Sequence, residues 1–183
     1  VDSVHTLHGR AIPVATGIKL VNPELNVIVV GGDGDIAGIG GNHLLHAARR
    51  NMDLLVIMVN NLVYGMTGGQ MAPTTLIGQK STTTPTGRKV EYTGYPLRIC
   101  ELLNTLEAPV YLERVSLHDV EHILQTKAAI KKALLKQIEK RGFSLVEVLS
   151  NCPTNWKMSP EESWEFVKNE MVKIFPLGVF RDK

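Results

Sequence analysis

Four runs of β-branched and apolar residues, separated by amphipathic or polar stretches, constrain this chain more than any other feature. They are Asn26 to Gly32 (NVIVVGG), Asp53 to Asn61 (DLLVIMVNN), Pro109 to Leu117 (PVYLERVSL) and Phe143 to Leu149 (FSLVEVL). Runs this short with so few polar positions read as strands buried on both faces, which is the signature of a parallel sheet. The intervening segments carry helical periodicity. Ile36 to Arg50 has Ile36, Ile39, Leu44, Leu45 and Ala48; Pro96 to Glu107 has Leu97, Ile99, Leu102, Leu103 and Leu106; Val120 to Lys140 has Ile123, Ile130, Leu134 and Ile138 on one face. Alternating strands and helices predict an α/β fold, an open and mainly parallel sheet with helices on both faces. A single domain is expected over 1–183, with a C-terminal extension from about residue 151. Within that extension, Pro160 to Phe175 reads as a helix capped by Ser159, with Trp164, Val167 and Met171 as its packing positions.

Composition narrows the function classes. A net charge of +2 over 183 residues argues for neither nucleic acid nor an anionic membrane as partner. The basic residues between Lys127 and Arg141 read as a solvated helix face. No stretch approaches the ~18 consecutive apolar residues of a membrane span, and Val1 to Arg10 lacks the pattern of a signal peptide. Two cysteines, Cys100 and Cys152, cannot build a disulfide framework, so a reducing cytoplasm is the expected compartment. The segment Tyr64 to Val90 has no clear period and is rich in Gly, Thr and Pro, as functional or mobile loops are.

The chemistry concentrates at two strand ends. Gly32-Asp33-Gly34 closes the first strand, and after twenty-five residues Asn60-Asn61 closes the second. In a parallel sheet both fall at the carboxyl edge, where ligands bind. Glycines there admit a phosphate to the backbone, and the following helix offers free N–H groups. A bare carboxylate would repel a diphosphate, so Asp33 implies a bridging cation. Mg²⁺ or Ca²⁺ takes oxygen ligands, which Asp33, the Asn61 amide and a backbone carbonyl can supply. Two other readings stay open. Gly32-x-Gly34-x-x-Ala37 satisfies a relaxed dinucleotide fingerprint, although the second strand ends in Asn60-Asn61 where that fingerprint expects an acid. The turn could also be purely structural, with Asp33 as a helix cap. His43 and His46, three apart on the crossover helix, read as packing or surface residues.

The paired motif resembles the thiamine-diphosphate motif. Longer words resemble, over nearly the whole chain, the β subunit of 2-oxoacid:ferredoxin oxidoreductases: His8-Gly9-Arg10, Ala47-Ala48-Arg49-Arg50-Asn51, Asn61-x-x-Tyr64-Gly65-Met66-Thr67-Gly68-Gly69-Gln70 and Pro73-Thr74-Thr75. Cys152-Pro153-Thr154-Asn155-Trp156 and Pro176-Leu177-Gly178-Val179 look most like subunits for 2-oxoglutarate, with branched-chain 2-oxoacids close behind. The resemblance implies thiamine diphosphate and Mg²⁺ as cofactors. Asp33, Asn61 and the Val63 carbonyl would hold the metal, and Gly32, Gly34 and Asp35 would lie along the diphosphate. Tyr64, Gly65 and Met66 would line the cofactor, and His8, Gly9 and Arg10 would stand near the active site. Oxidative decarboxylation of a 2-oxoacid is implied, with electrons passed to ferredoxin and the acyl group to coenzyme A. The α subunit would supply the activating glutamate, so no acid or base is assigned to this chain.

Such β subunits hold a [4Fe–4S] cluster on four cysteines. Cys152 matches the fourth and nothing here matches the other three, so the cluster is expected only in a full-length form. Val1 is accordingly expected to lie inside a longer polypeptide, the alternative being a divergent relative whose cluster lies elsewhere. The contrasting expectations are an NAD(P)-binding Rossmann-type domain, which would bind NADH without Mg²⁺, and a cofactor-free assembly module, which would elute as a monomer without metal.

Overall fold

A computed structural model describes residues 2–183. In chain order the elements are α1 (Ala11–Val21), β1 (Ile28–Gly32), a π-helical turn (Gly34–Ile39), α2 (Gly41–Arg49), β2 (Leu55–Asn60), β3 (Val63–Tyr64), β4 (Gln70–Met71), α3 (Val90–Thr93), α4 (Ile99–Asn104), β5 (Tyr111–Ser116), α5 (Val120–Ile138), β6 (Ser144–Leu149) and α6 (Pro153–Trp156). There follow α7 (Pro160–Phe166), a second π-helical turn (Val167–Met171), α8 (Val172–Ile174) and β7 (Gly178–Asp182). The main sheet runs β1-β2-β6-β5-β7. Its first four strands are parallel, and β7 joins β5 antiparallel. The four expected strands are all present, each one to three residues shorter than its apolar run at one or both ends.

Strands β2, β6 and β5 are covered on both faces; β1, at the sheet edge, buries Val29 but leaves Ile28 and Val30 exposed, against the expectation of burial on both faces. One face packs Val29, Met58, Leu112 and Leu145 against Ile12 and Ala15 of α1, Leu44 and Ala48 of α2, and Ile99 and Leu103 of α4. The other packs Leu55, Val115, Val146 and Val148 against Ala129 and Ala133 of α5. A third cluster at the carboxyl edge joins Leu62, Leu76 and Leu149 to Val167, Met171 and Phe175, so the C-terminal extension closes over that edge. No helix among the described residues is long and apolar enough to cross a membrane.

Several expectations need correction. On α5 the buried positions are Thr126, Ala129, Ala133 and Gln137, while Ile123 and Ile138 are exposed. Small side chains let the helix lie close to the sheet, and the branched residues splay to its flanks. The two polar members are satisfied: Thr126 donates to the Ser116 carbonyl, and Gln137 to those of Val27 and Asp53. Leu102 of α4 and Trp164 of α7 also face outward. Ser159 caps α7 in a full capping box with Glu162, as its sequence suggests.

The stretch after Tyr64 is ordered. Val63–Tyr64 and Gln70–Met71 form a short antiparallel hairpin. Arg88, only 3% exposed, then gathers the remainder by donating to the carbonyls of Pro73, Thr75, Thr93, Gly94 and Tyr95. Burial lowers its pKa from the usual value, and the ring of carbonyl dipoles takes the place of a carboxylate partner.

Candidate functional site

Gly32 pairs with Val59 across β1 and β2, so Asp33 and Asn61 leave the same carboxyl edge from neighbouring parallel strands. Asp33 enters the π-helical turn with helical backbone angles, but its side chain caps nothing. The capping explanation of that acid is therefore removed. One carboxylate oxygen, Oδ2, accepts from the Thr74 hydroxyl. The other, Oδ1, is buried with no hydrogen-bond partner. The residue is 1% exposed, and burial lifts its pKa to about 7 against the lowering effect of Thr74. An orphaned buried carboxylate oxygen is costly unless a cation meets it. The donor chemistry fits a hard divalent ion.

The second strand end is held from below and from the tail. Asn60 is fully buried; it donates to Glu147 Oε1 at 2.8 Å and accepts from the Leu62 N–H at 3.3 Å. Leu62 takes a left-handed conformation with φ of 67°, which turns the chain back under Asn61. The Asn61 side-chain oxygen accepts only a long 3.4 Å bond from the Val63 N–H, which leaves acceptor capacity. Its carbonyl accepts from Trp156 Nε1 at 3.1 Å, and the Gly65 carbonyl accepts from Asn155 Nδ2 at 3.1 Å. The Cys152–Trp156 segment thus clamps the Asn61–Gly65 turn. Cys152 is half-buried, and its sulfur accepts from Asn155 Nδ2 at 3.1 Å. Spacing along the chain does not mark Asn155 and Trp156 as site residues, although they stand in the same sequence word as Cys152.

The glycines divide their work. A Cβ on Gly34 would sit 2.5 Å from the Tyr64 ring, so this glycine makes room for an aromatic side chain of the same protein. Gly32 differs: a Cβ there would meet nothing closer than the Val59 carbonyl at 4.0 Å, so its face of the strand end is open. Asp35 draws in the N-terminal segment. Its Oδ1 accepts from the Gly9 N–H at 2.5 Å and lies 3.2 Å from His8 Nδ1. The His8 ring stacks on Tyr64 with centroids 5.6 Å apart. His8, Gly9, Asp35, Gly34 and Tyr64 therefore form one wall. Arg10 points away from it, bonded to His43 Nε2 of α2 at 2.9 Å, and the Met66 side chain is fully exposed.

The family model for the thiamine pyrophosphate enzyme C-terminal TPP-binding domain matches residues 1–148. The chain belongs to that family. It is 52% identical over 181 residues to the ketoisovalerate oxidoreductase subunit VorA of Methanothermobacter thermautotrophicus, covering 99% of this chain and 38% of the relative. To the 2-oxoglutarate synthase subunit KorB of Methanothermobacter marburgensis it is 47% identical, covering 93% and 58%. Among solved structures, the 2-oxoglutarate:ferredoxin oxidoreductase from Magnetococcus marinus with 2-oxoglutarate, coenzyme A and succinyl-CoA bound superposes with a TM-score of 0.73 at 29% identity, over 98% of this chain and 64% of that one. The chain thus spans between about two fifths and two thirds of the length of these relatives. Membership in a thiamine-diphosphate-binding family excludes the dinucleotide reading of Gly32-x-Gly34-x-x-Ala37.

Proposed function

We propose that this chain is the thiamine-diphosphate- and Mg²⁺-binding part of a 2-oxoacid:ferredoxin oxidoreductase β subunit. Asp33 supports this most strongly, as a sealed carboxylate with one free oxygen at the sheet edge it shares with Asn61. In this reading Asp33, Asn61 and the Val63 carbonyl hold the ion, and the open side of Gly32 admits the diphosphate. Asp35 acts as the anchor of the wall formed by His8, Gly9 and Tyr64, with Gly34 making room for the ring. Gly65 fixes the turn through Asn155. Arg10 and Met66, turned outward, are left to meet the partner subunit.

When bound, thiamine diphosphate supplies the electron sink for decarboxylation of a 2-oxoacid. This chain's residues orient it and neutralise its phosphates; proton transfer is assigned to the α partner. Ferredoxin and coenzyme A are the proposed electron and acyl acceptors. Cys152, with an N–H donor on its sulfur, is suited to serve as one thiolate of a [4Fe–4S] cluster in a polypeptide that carries three further cysteines. For the substrate, the tail words suggest 2-oxoglutarate, whereas the relative at 52% identity acts on ketoisovalerate, so a branched-chain 2-oxoacid is the second reading.

The test is calorimetric titration of thiamine diphosphate with Mg²⁺ into the reconstituted complex. Asp33→Ala and the near-isosteric Asp33→Asn should both abolish metal-dependent binding. Undiminished binding in the folded Asn variant overturns the assignment. Turnover of 2-oxoglutarate against 3-methyl-2-oxobutanoate then decides the substrate.

A further inference from the structure

At the far side of the same sheet edge stands a second group of metal-type ligands that the cofactor does not use. Strand β5 ends in Ser116, and Leu117, His118 and Asp119 lead into α5. His118 Nε2 lies 3.3 Å from Asp119 Oδ2, and His122 Nδ1 lies 2.7 Å from Asp119 Oδ1. The two imidazoles are tilted against each other with centroids 4.0 Å apart. One ligand atom from each of the three residues lies within 4.8 Å of the others. In the sheet order, β5 is two strands beyond β2, roughly 10 Å from the edge where Asn61 sits.

Helix capping explains only part of this arrangement. Asp119 caps α5 by accepting the His122 N–H at 2.8 Å, and that requires no imidazole. Yet the His118 side chain is 5% exposed and its Nδ1 is engaged by the Ser116 hydroxyl at 2.8 Å. This fixes the ring with Nε2 directed at Asp119, as a hydrogen bond to the far ring nitrogen orients a metal-bound histidine.

We propose that His118, Asp119 and His122 form a transition-metal site, two imidazoles and one carboxylate, taking Zn²⁺ or a neighbouring first-row ion. Tetrahedral coordination with bonds of about 2.0–2.1 Å sets ligand atoms roughly 3.3 Å apart, a closure of about 1.5 Å at most from the present spacing. Asp119 is half-exposed, which leaves a coordination position facing solvent. Nitrogen-rich donors of this kind discriminate against Mg²⁺, so the site stays chemically separate from the diphosphate ion.

The test is titration of chelator-treated full chain with Zn²⁺ in the presence of millimolar Mg²⁺, with Co²⁺ absorption as a readout of coordination. One equivalent should bind with a dissociation constant in the micromolar range or tighter, and Co²⁺ should give visible d–d bands. His122→Ala should weaken Zn²⁺ at least about tenfold and bleach those bands. Asp119→Asn keeps the helix cap and should weaken Zn²⁺ as well, which separates ligation from folding. Circular dichroism should be unchanged in both. Absence of binding, or equal binding in folded variants, overturns the proposal; thiamine diphosphate binding reports on the other site independently.

Discussion

Removing Glu147 should cost more stability than any other single carboxylate change in this chain. It is fully buried in β6, where it accepts from Asn60 Nδ2 at 2.8 Å and from Arg114 Nε at 2.8 Å. Arg114 is itself fully buried, bonded also to both oxygens of Glu101 and to the Pro176 carbonyl, with Phe175 and Phe180 against its guanidinium. Burial works against the charged form, but the carboxylates of Glu101 and Glu147 outweigh it and hold the guanidinium above its ordinary range. Glu147→Ala strands two sealed donors, one charged, and leaves a cavity. Breaking a buried pair typically costs about 3–5 kcal/mol, and the surviving Glu101 contact places this case near the lower end. For a chain of this size that is a fall in Tm of roughly 10 °C. Urea and thermal unfolding followed by far-UV circular dichroism measure it directly. Glu24→Ala, which breaks the exposed pair with Lys140, is the control and should leave the midpoint unmoved. A loss below about 1 kcal/mol for Glu147→Ala would refute the idea that this network supports the Asn60–Asn61 strand end.

Two further outcomes concern the loop and the acid. Arg88→Leu should release the carbonyls between Pro73 and Tyr95, and a loss of about 2 kcal/mol would speed amide exchange in that loop roughly 30-fold while strand amides stay protected. Uniform protection would show that Arg88 does not hold the loop. In the metal-free chain, Asp33 titrates near 7 when folded and near 3.8 when unfolded, so the folded state binds the extra proton between those values. Stability contributed by this group should therefore fall as pH rises from about 4 to 7, by at most about 4 kcal/mol. Asp33→Asn should lack that fall, and parallel pH–stability curves for the two proteins would contradict it.

The layered fold and the position of its ligand edge follow from local patterning alone. Short β-branched runs such as Val27 to Val30 and Leu54 to Val59 favour paired strands, although only the second is buried on both sides, and parallel pairing puts Asp33 and Asn61 at one edge by topology alone. Other elements had no local signal. Helix α1 holds Gly17, a poor helix former that tertiary packing of Ile12 and Ala15 overrides, while Pro13 sits in its first turn, where no intrahelical N–H bond is lost. Strand β7 lies at the end of the chain and is set by pairing with β5 from across the molecule. Glu147 and Arg114 are charged residues inside otherwise apolar strands, and only their meeting across β5 and β6 makes them a support for Asn60.

Site wall and outward residues divide for the same reason. His8 and Gly9 join Asp35 and Tyr64 through contacts between segments more than twenty-five residues apart, while Arg10, adjacent in sequence, is drawn to His43. Spacing along a chain specifies periodic faces and strand ends, because those depend on neighbours within a few residues. Which side chain meets which across elements depends on register and on the depth at which helices settle. Those are decided only when the whole core closes.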